Sequence, residues 1–98
     1  MHGRVTVIQG TPERADEAVR VLREQVLPRA REMAGFKGVL GLLDRGSGKA
    51  LSVTLWESEE AMRASEEAAN RLRDEASRAS GGGVVSVERY EVVIDEPV

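Results

Sequence analysis

Four stretches of apolar residues alternate with two helical stretches, and this order constrains the fold more than any other feature of the sequence. Alternating side chains and flanking glycines predict strands at Arg4–Gln9, Phe36–Leu43, Ala50–Trp56 and Val84–Ile94. One helix is predicted from Ala15 to Met33 with a kink at Pro28, and a second follows Ser58, a suitable capping residue. The order β-α-β-β-α-β indicates an α+β, ferredoxin-like fold, in which four antiparallel strands carry both helices on one face.

The predicted strands are apolar on both faces. Leu51, Val53 and Leu55 alternate along the third strand with a second face that ends at Trp56. A sheet with one face in water is usually polar on that face, and the chain has no third helix to cover it. We therefore expect a homodimer in which the faces that carry Leu51, Val53 and Leu55 pack together and bury about 2,000 Å² or more.

Length and composition narrow the functional classes. The 98 residues suffice for one domain, which is predicted over residues 1–98. Cysteine is absent and His2 is the only histidine, so we expect no metal and no other cofactor. Basic residues are scattered, the net charge is −3, and no apolar run approaches a membrane span, so neither nucleic acid nor membrane is an expected partner. We expect a cytoplasmic protein because no apolar signal core follows the first residues, and we expect the helix charges on solvated faces.

Trp56 is one of three aromatic residues in the chain, and it shares its face of the third strand with Thr54 and Ser52. A bulky indole beside small and polar side chains permits two interpretations, an ordinary core position or the wall of a ligand cavity. A cavity at this place would be lined by Trp56, Thr54, Ser52, Phe36 and Met62. Asn70 is a further candidate if its side chain points inward.

Three features of the sequence form a recognisable pattern: Gly35–Gly38, the glycine-broken hairpin that follows, and above all the segment Ser52–Ala61, which contains Trp-Glu-Ser-Glu-Glu-Ala. In these features the chain resembles the antibiotic biosynthesis monooxygenase family of dimeric α+β barrels. Length and element order also match over the whole chain. The resemblance implies a homodimer whose two sheets face each other, with a pocket in each subunit between sheet and helices.

The resemblance also implies candidate roles for individual residues. Some family members oxygenate anthrone-like aromatic polyketides with molecular oxygen and without metal or flavin. Their pocket tryptophan corresponds to Trp56, and an asparagine that helps to bind the substrate is replaced here by Ser52. Other relatives degrade haem with a histidine of the second helix as iron ligand, and this chain has no histidine there. Trp56 and Ser52 are therefore the candidate catalytic residues, and the candidate substrate contacts are Thr54, Phe36, Met62, Asn70 and Tyr90.

Three hypotheses about function remain open on the sequence. The first is a cofactor-independent monooxygenase that acts on a small aromatic or polyketide-like molecule. The second is a non-catalytic dimeric barrel that binds a small apolar metabolite, and the third is a structural module. The sequence offers no evident general base, because Tyr90 would serve only with a strongly lowered pKa.

Overall fold

The computed structural model describes residues 1–97, so Val98, the last residue of the predicted domain, lies outside the described residues. The strands form one antiparallel sheet in the order β2-β3-β1-β4, and the predicted β-α-β-β-α-β, ferredoxin-like arrangement is confirmed. The strands are β1 (His2–Gln9), β2 (Phe36–Asp44), β3 (Lys49–Trp56) and β4 (Gly83–Glu91). The helices are α1 (Ala15–Val21), α2 (Leu27–Ala30), α3 (Glu59–Ala64) and α4 (Glu66–Ser80), with short 3-10 and π segments at Pro12–Arg14 and Leu22–Val26.

The helices lie on one face of the sheet. Arg4, Thr6 and Ile8 point to this helix side from β1 and are buried, whereas Val5 and Val7 point to the other side. α4 packs over β1 and β4 and against α1. It ends at Gly81, whose φ of 77° is the left-handed conformation that glycine adopts without strain. The first helical segment is thereby held above the other half of the sheet, which consists of β2 and β3.

The segment around Pro28 departs from a regular α-helix. The predicted kink takes the form of a π-helical stretch, Leu22–Val26, which separates α1 from α2. A proline has no amide hydrogen, and its ring clashes with the carbonyl four residues earlier, so the wider π turn accommodates it. The Leu27 amide accordingly donates to the carbonyl of Leu22, five residues before it. The wider turn changes which side chains this segment presents to the sheet.

The second predicted helix is divided at Ser65. Ser58 caps α3 as expected, because its hydroxyl accepts a hydrogen bond from the Ala61 amide at 3.1 Å. At Ser65 the chain bends, and the Ser65 hydroxyl donates to the Met62 carbonyl at 2.6 Å. The same carbonyl accepts a hydrogen bond from Arg4, so it is drawn away from a regular helical ladder. The sequence pattern, which was continuous here, did not predict this break.

The faces of β3 agree with the prediction, and Phe36 of β2 reaches the helix side through a bulge. Ser52, Thr54 and Trp56 share the helix side, and Leu51, Val53 and Leu55 lie on the outer side, by their pairing with β1. Simple alternation places Phe36 on the outer side with Leu40. A register shift between Phe36 and Gly38 brings Phe36 opposite Trp56, where the two rings meet.

The last strand ends earlier than the sequence pattern indicates. The last strand was predicted to reach Ile94, but it ends at Glu91, and Val93 and Ile94 are exposed. Val92 adds one more backbone hydrogen bond, to the Met1 carbonyl.

Over residues 1–97, no helix has the length and apolar character needed to cross a membrane.

Candidate functional site

A cavity of about 360 Å³ lies on the helix side of β2 and β3, below the first helical segment. The chain leaves it open because α4 covers only the β1–β4 half of the sheet. The π-helical stretch contributes to its roof, and Leu22, Val26 and Leu27 line it. Its remaining apolar walls include Ile8, Val19, Ala30, Met33, Val39, Leu43, Ala69, Leu72 and Ala76. The result is a mainly apolar chamber of the size that small organic ligands occupy.

Trp56 forms part of the cavity wall and is held rigidly, with only 1% of its surface exposed to solvent. Its indole N–H donates to the Thr54 hydroxyl at 3.0 Å. Phe36 meets it edge to face, with ring centroids 5.6 Å apart, and the Arg4 guanidinium lies 5.4 Å from its ring centroid. The two interpretations of Trp56 thus combine, since it is both a core residue and a cavity wall.

Ser52 and Thr54 place two hydroxyl groups in the same cavity, where they are two residues apart on the helix side of β3. Thr54 accepts from Trp56, which leaves its own hydroxyl proton for another acceptor. Opposite Ser52, Gly41 of β2 lines the cavity, and a Cβ added there would meet nothing within 4 Å. The free space beside Ser52 is therefore large enough for a ligand atom to approach its hydroxyl.

The other three predicted site residues lie outside the cavity lining, as far as residues 1–97 define it. Met62 is buried on α3, with its carbonyl directed to Arg4. Asn70 is exposed on α4 and accepts a hydrogen bond from Arg73. Tyr90 is exposed on the outer side of the sheet, and its hydroxyl donates to the Glu88 carboxylate, which raises the pKa of Tyr90. Tyr90 therefore lacks both the position and the lowered pKa that a general base in this cavity would need.

Arg4 is a cavity residue that the sequence interpretation missed. It lines the cavity and is only 2% exposed. Its Nη2 donates to the Met62 carbonyl at 2.7 Å, to the Ser65 hydroxyl at 3.0 Å and to the Glu66 carboxylate at 2.9 Å. Its Nε is buried and has no hydrogen-bond partner within residues 1–97. The available signal was a charged residue at an inward position of β1, in phase with Thr6 and Ile8.

Glu66 is the carboxylate on which three arginines converge. Arg89 binds it with two hydrogen bonds, at 2.7 and 2.8 Å, Arg4 binds it at 2.9 Å, and Arg73 lies 3.8 Å away. The hydrogen bonds from Arg89 make the largest contribution to lowering the pKa of Glu66 to about 2, and the hydrogen bond from Arg4 contributes less. Burial acts in the opposite direction. Glu66 and Arg73 had been expected on a solvated helix face, and this expectation is wrong.

The described part of the chain contains no group of three His, Cys, Asp or Glu side chains arranged to hold a metal ion. His2 lies at the end of β1, opposite Trp56 in the sheet register, and its Nε2 is 3.8 Å from the Glu59 carboxylate. It is not among the cavity-lining residues. The chemistry of the cavity therefore depends on an aromatic wall, the hydroxyl groups of Thr6, Ser52 and Thr54, and arginine side chains.

Similar structures share the fold over nearly the whole chain. A monooxygenase from the ActVA-Orf6 gene of Streptomyces coelicolor, in complex with nanaomycin D, gives a TM-score of 0.75 at 19% identity, covering 99% of this chain and 92% of that one. A protein from Deinococcus radiodurans, described as an antibiotic biosynthesis monooxygenase, gives 0.74 at 16% identity over 100% and 98%. The haem degrader MhuD of Mycobacterium tuberculosis, with two haems bound, gives 0.77 at 22% identity over 99% and 100%. The chain thus has the fold of the antibiotic biosynthesis monooxygenases.

Sequence comparison adds relatives of undetermined role. No family model matches the chain. Two uncharacterized proteins of Mycobacterium tuberculosis are 36% and 34% identical, over 92 and 94 residues. These matches cover 94% and 96% of this chain but only 41% and 39% of the relatives. The chain therefore spans well under half the length of these curated relatives.

The cavity does not suit haem, which the comparison with MhuD raises. Haem iron is held by histidine, cysteinate or tyrosinate, or by methionine together with histidine. Within the described residues, the lining contains none of the first three, and Met33 is its only sulfur ligand. The residues present therefore offer no suitable axial ligand, although the fold is shared.

Proposed function

We propose that this chain, which has the fold of the antibiotic biosynthesis monooxygenases, is a cofactor-independent monooxygenase for a small aromatic, polyketide-like molecule. The observation that carries the proposal is the cavity on the helix side of β2 and β3, where Trp56, Ser52 and Thr54 meet. An apolar chamber with an aromatic wall and three hydroxyl groups, those of Thr6, Ser52 and Thr54, suits a planar ring compound that carries a ketone or phenol oxygen. Phe36 fixes the tilt of the indole, and so the plane against which a ring would lie.

The proposed reaction needs no cofactor because the substrate supplies the electrons. An anthrone-type C–H, flanked by two aromatic rings, loses its proton and leaves a delocalised carbanion. This anion passes one electron to O2, the resulting radical and superoxide combine, and the hydroperoxide loses water to give a quinone. One O2 is consumed, one oxygen atom enters the product, and the other leaves as water.

The protein would stabilise the charge that develops in this sequence. Hydroxyl protons of Ser52 and Thr54 would donate to the oxyanion on the ring, and the apolar walls would exclude water from the radical pair. The described cavity lining contains no Asp, Glu, His or Tyr, so the proton would pass to solvent water before the radical pair forms, and the apolar walls would shield the pair only after this step. The cationic arginines would favour ionisation of the bound substrate.

We further propose that the active form is a homodimer joined through the outer side of the sheet. Leu40 is 57% exposed there, beside the half-buried Leu51, Val53 and Leu55. Large exposed apolar patches are one mark of protein–protein contact surfaces. The cytoplasmic location stays a prediction from the sequence.

The experiment is oxygen uptake by purified protein with anthrone, with a chelator present, and with protein-free buffer as reference because anthrones oxidise unaided. We expect acceleration over buffer, with a lower rate in Trp56→Phe. Ser52→Ala should lower the rate by up to about 100-fold if its hydroxyl stabilises the oxyanion. Gly41→Leu should abolish it, because the side chain would enter the free space beside Ser52.

The matched control is Gly83→Leu. An added Cβ at Gly83 also meets nothing within 4 Å, but Gly83 is not among the residues that line the cavity. It should keep the wild-type rate. No acceleration over buffer across anthrones, quinols and flavonoid-like phenols would overturn the oxygenase proposal.

A second candidate function is binding of a small apolar metabolite without turnover. It is favoured by the absence of acidic and histidine side chains from the described cavity lining, and by Ser52 in place of the family's asparagine. This second function would be supported if the wild type binds aromatic compounds, Gly41→Leu does not bind them, and the wild type shows no oxygen uptake with them.

A further inference from the structure

The charged residues of the cavity are all of one sign. Within the described residues, its lining includes Arg4, Arg23 and Arg73 and no aspartate or glutamate. The chain as a whole carries a net charge of −3, so this distribution runs against the overall composition. A mainly apolar chamber with cationic groups alone attracts an anion more strongly than exposed arginines do, because low-polarity walls weaken the screening.

Two of these arginines are largely removed from water. The side chains of Arg4 and Arg73 are 2% and 11% exposed. The buried Nε of Arg4 has no partner within residues 1–97. Burial of a charged or polar group without a partner is unfavourable, and most such groups in folded proteins have one. The described residues therefore leave one buried donor of the cavity lining, the Nε of Arg4, without an acceptor.

Glu66 does not compensate this charge. Arg89 occupies both of its oxygens with two hydrogen bonds, and Arg4 binds one of them as well. Arg73 is left with a contact of 3.8 Å to Glu66 and with the side-chain oxygen of Asn70. Three guanidinium groups share the Glu66 carboxylate, and Asp74 is the other acidic residue whose charge acts on Arg73, so positive charge is in excess at this end of the cavity. Burial and the charge of Arg4 accordingly lower the pKa of Arg73.

We propose that the cavity binds an aromatic carboxylate, with the ring in the apolar chamber beside Trp56 and the carboxylate on Arg73 and Arg4. A guanidinium is planar and presents paired N–H donors that match the two oxygens of a carboxylate. A carboxylate is also fully charged at neutral pH, whereas an ordinary phenol is not. This inference rests on the cavity named in the proposed function and adds the chemical class of its ligand.

The test is calorimetric titration of the wild-type protein with 2-naphthoate and with 2-naphthamide, which have nearly the same shape and differ in charge. We expect naphthoate to bind about tenfold or more tightly, as a charge-assisted hydrogen bond predicts. Arg73→Gln should weaken naphthoate binding and so reduce the preference to the part that Arg4 still supports, without changing the affinity for naphthamide. Arg73→Lys should restore part of the preference.

The matched control is Arg71→Gln on the same helix, since Arg71 is exposed, paired with Glu67 and outside the cavity lining. It should keep the full preference. Equal wild-type affinities, no binding of either probe, or an undiminished preference in Arg73→Gln would each overturn the proposal. If Arg73→Gln fails to fold by circular dichroism, the wild-type pair of probes decides alone.

Neither probe has an oxidisable C–H of the anthrone type, so this binding is read independently of turnover. A preference for naphthoate without oxygen uptake on anthrones would keep the anion site and remove the oxygenase. Oxygen uptake on anthrones together with equal affinities for the two probes would keep the oxygenase and remove the anion site.

Discussion

Arg4→Met removes the buried guanidinium that joins β1 to the junction of α3 and α4. Methionine keeps an unbranched apolar stem of similar reach, so the change removes the charge and the hydrogen bonds and leaves most of the packing. The lost interactions are the hydrogen bonds to the Met62 carbonyl, the Ser65 hydroxyl and Glu66, at 2.7, 3.0 and 2.9 Å, and the contact with the ring of Trp56.

The expected loss in the free energy of unfolding is about 3 kcal/mol. Hydrogen bonds that involve a charged group contribute about 1.5–3 kcal/mol each, and a cation over an aromatic ring about 1 kcal/mol. Part of this sum is offset because the desolvation of the guanidinium is also removed. No buried charge is left alone, since Glu66 keeps Arg89 and the Ser65 hydroxyl still bonds to the Met62 carbonyl.

The assay is urea unfolding followed by far-ultraviolet circular dichroism at one fixed protein concentration, because dimerisation would make the midpoint depend on concentration. Arg45→Met is the matched control. Arg45 is exposed and paired with Asp16 at the surface, at 2.7 Å, so its loss should amount to about 0–1 kcal/mol. A loss below about 0.5 kcal/mol for Arg4→Met, or equal losses for the two variants, would refute the reasoning.

Three further predictions concern pH, backbone conformation and assembly. Because arginine hydrogen bonds lower the pKa of Glu66 from 4.5 to about 2, its contribution of up to about 3 kcal/mol is present above pH 4.5 and disappears as the pH falls towards 2. Thermal unfolding of the wild type and Glu66→Gln should therefore differ at pH 7 and converge near pH 2, and a constant difference would contradict this. Gly48→Ala should lose about 1–3 kcal/mol in urea unfolding, because φ is 80° and the new Cβ would lie 2.6 Å from the Gly10 carbonyl oxygen, whereas an unchanged midpoint would exclude that strain. Sedimentation should give twice the chain mass of 10.7 kDa for the wild type and a folded monomer for Leu40→Asp, and a stable wild-type monomer would refute the sheet-to-sheet dimer.

The sequence predicted the fold because its local signals agree with one another. Alternation along β3 placed Trp56, Thr54 and Ser52 on one face and Leu51 with its neighbours on the other, and the strand register confirms this. Pro28 indicated a departure from a regular helix, although not that it would be a π-helical stretch. These signals lie within a few residues of the structure that they determine, which is why they can be read along the chain.

The parts of the site that escaped prediction depend on contacts between distant residues. Phe36 was a predicted cavity residue, but the bulge that brings it to the helix side cannot be read from alternation. Arg4 and Glu66 are 62 residues apart, and nothing near either one indicates their pairing. The charged residues of the described lining are all arginines, and they come together only when β1, α4 and the π-helical stretch pack around the cavity. Met62, Asn70 and Tyr90 were plausible by composition, and their positions were decided by the bend at Ser65 and by the strand faces.

The most direct test of the oxygenase proposal is the fate of labelled oxygen. Anthrone is incubated under 18O2 with the wild type, with Gly41→Leu and in protein-free buffer, and the quinone is followed by mass spectrometry over time. The account predicts that the wild type forms quinone with one 18O atom faster than buffer, and that filling the cavity in Gly41→Leu returns the rate to that of buffer. Wild-type formation of labelled quinone at the buffer rate, or an acceleration that Gly41→Leu leaves intact, would contradict it.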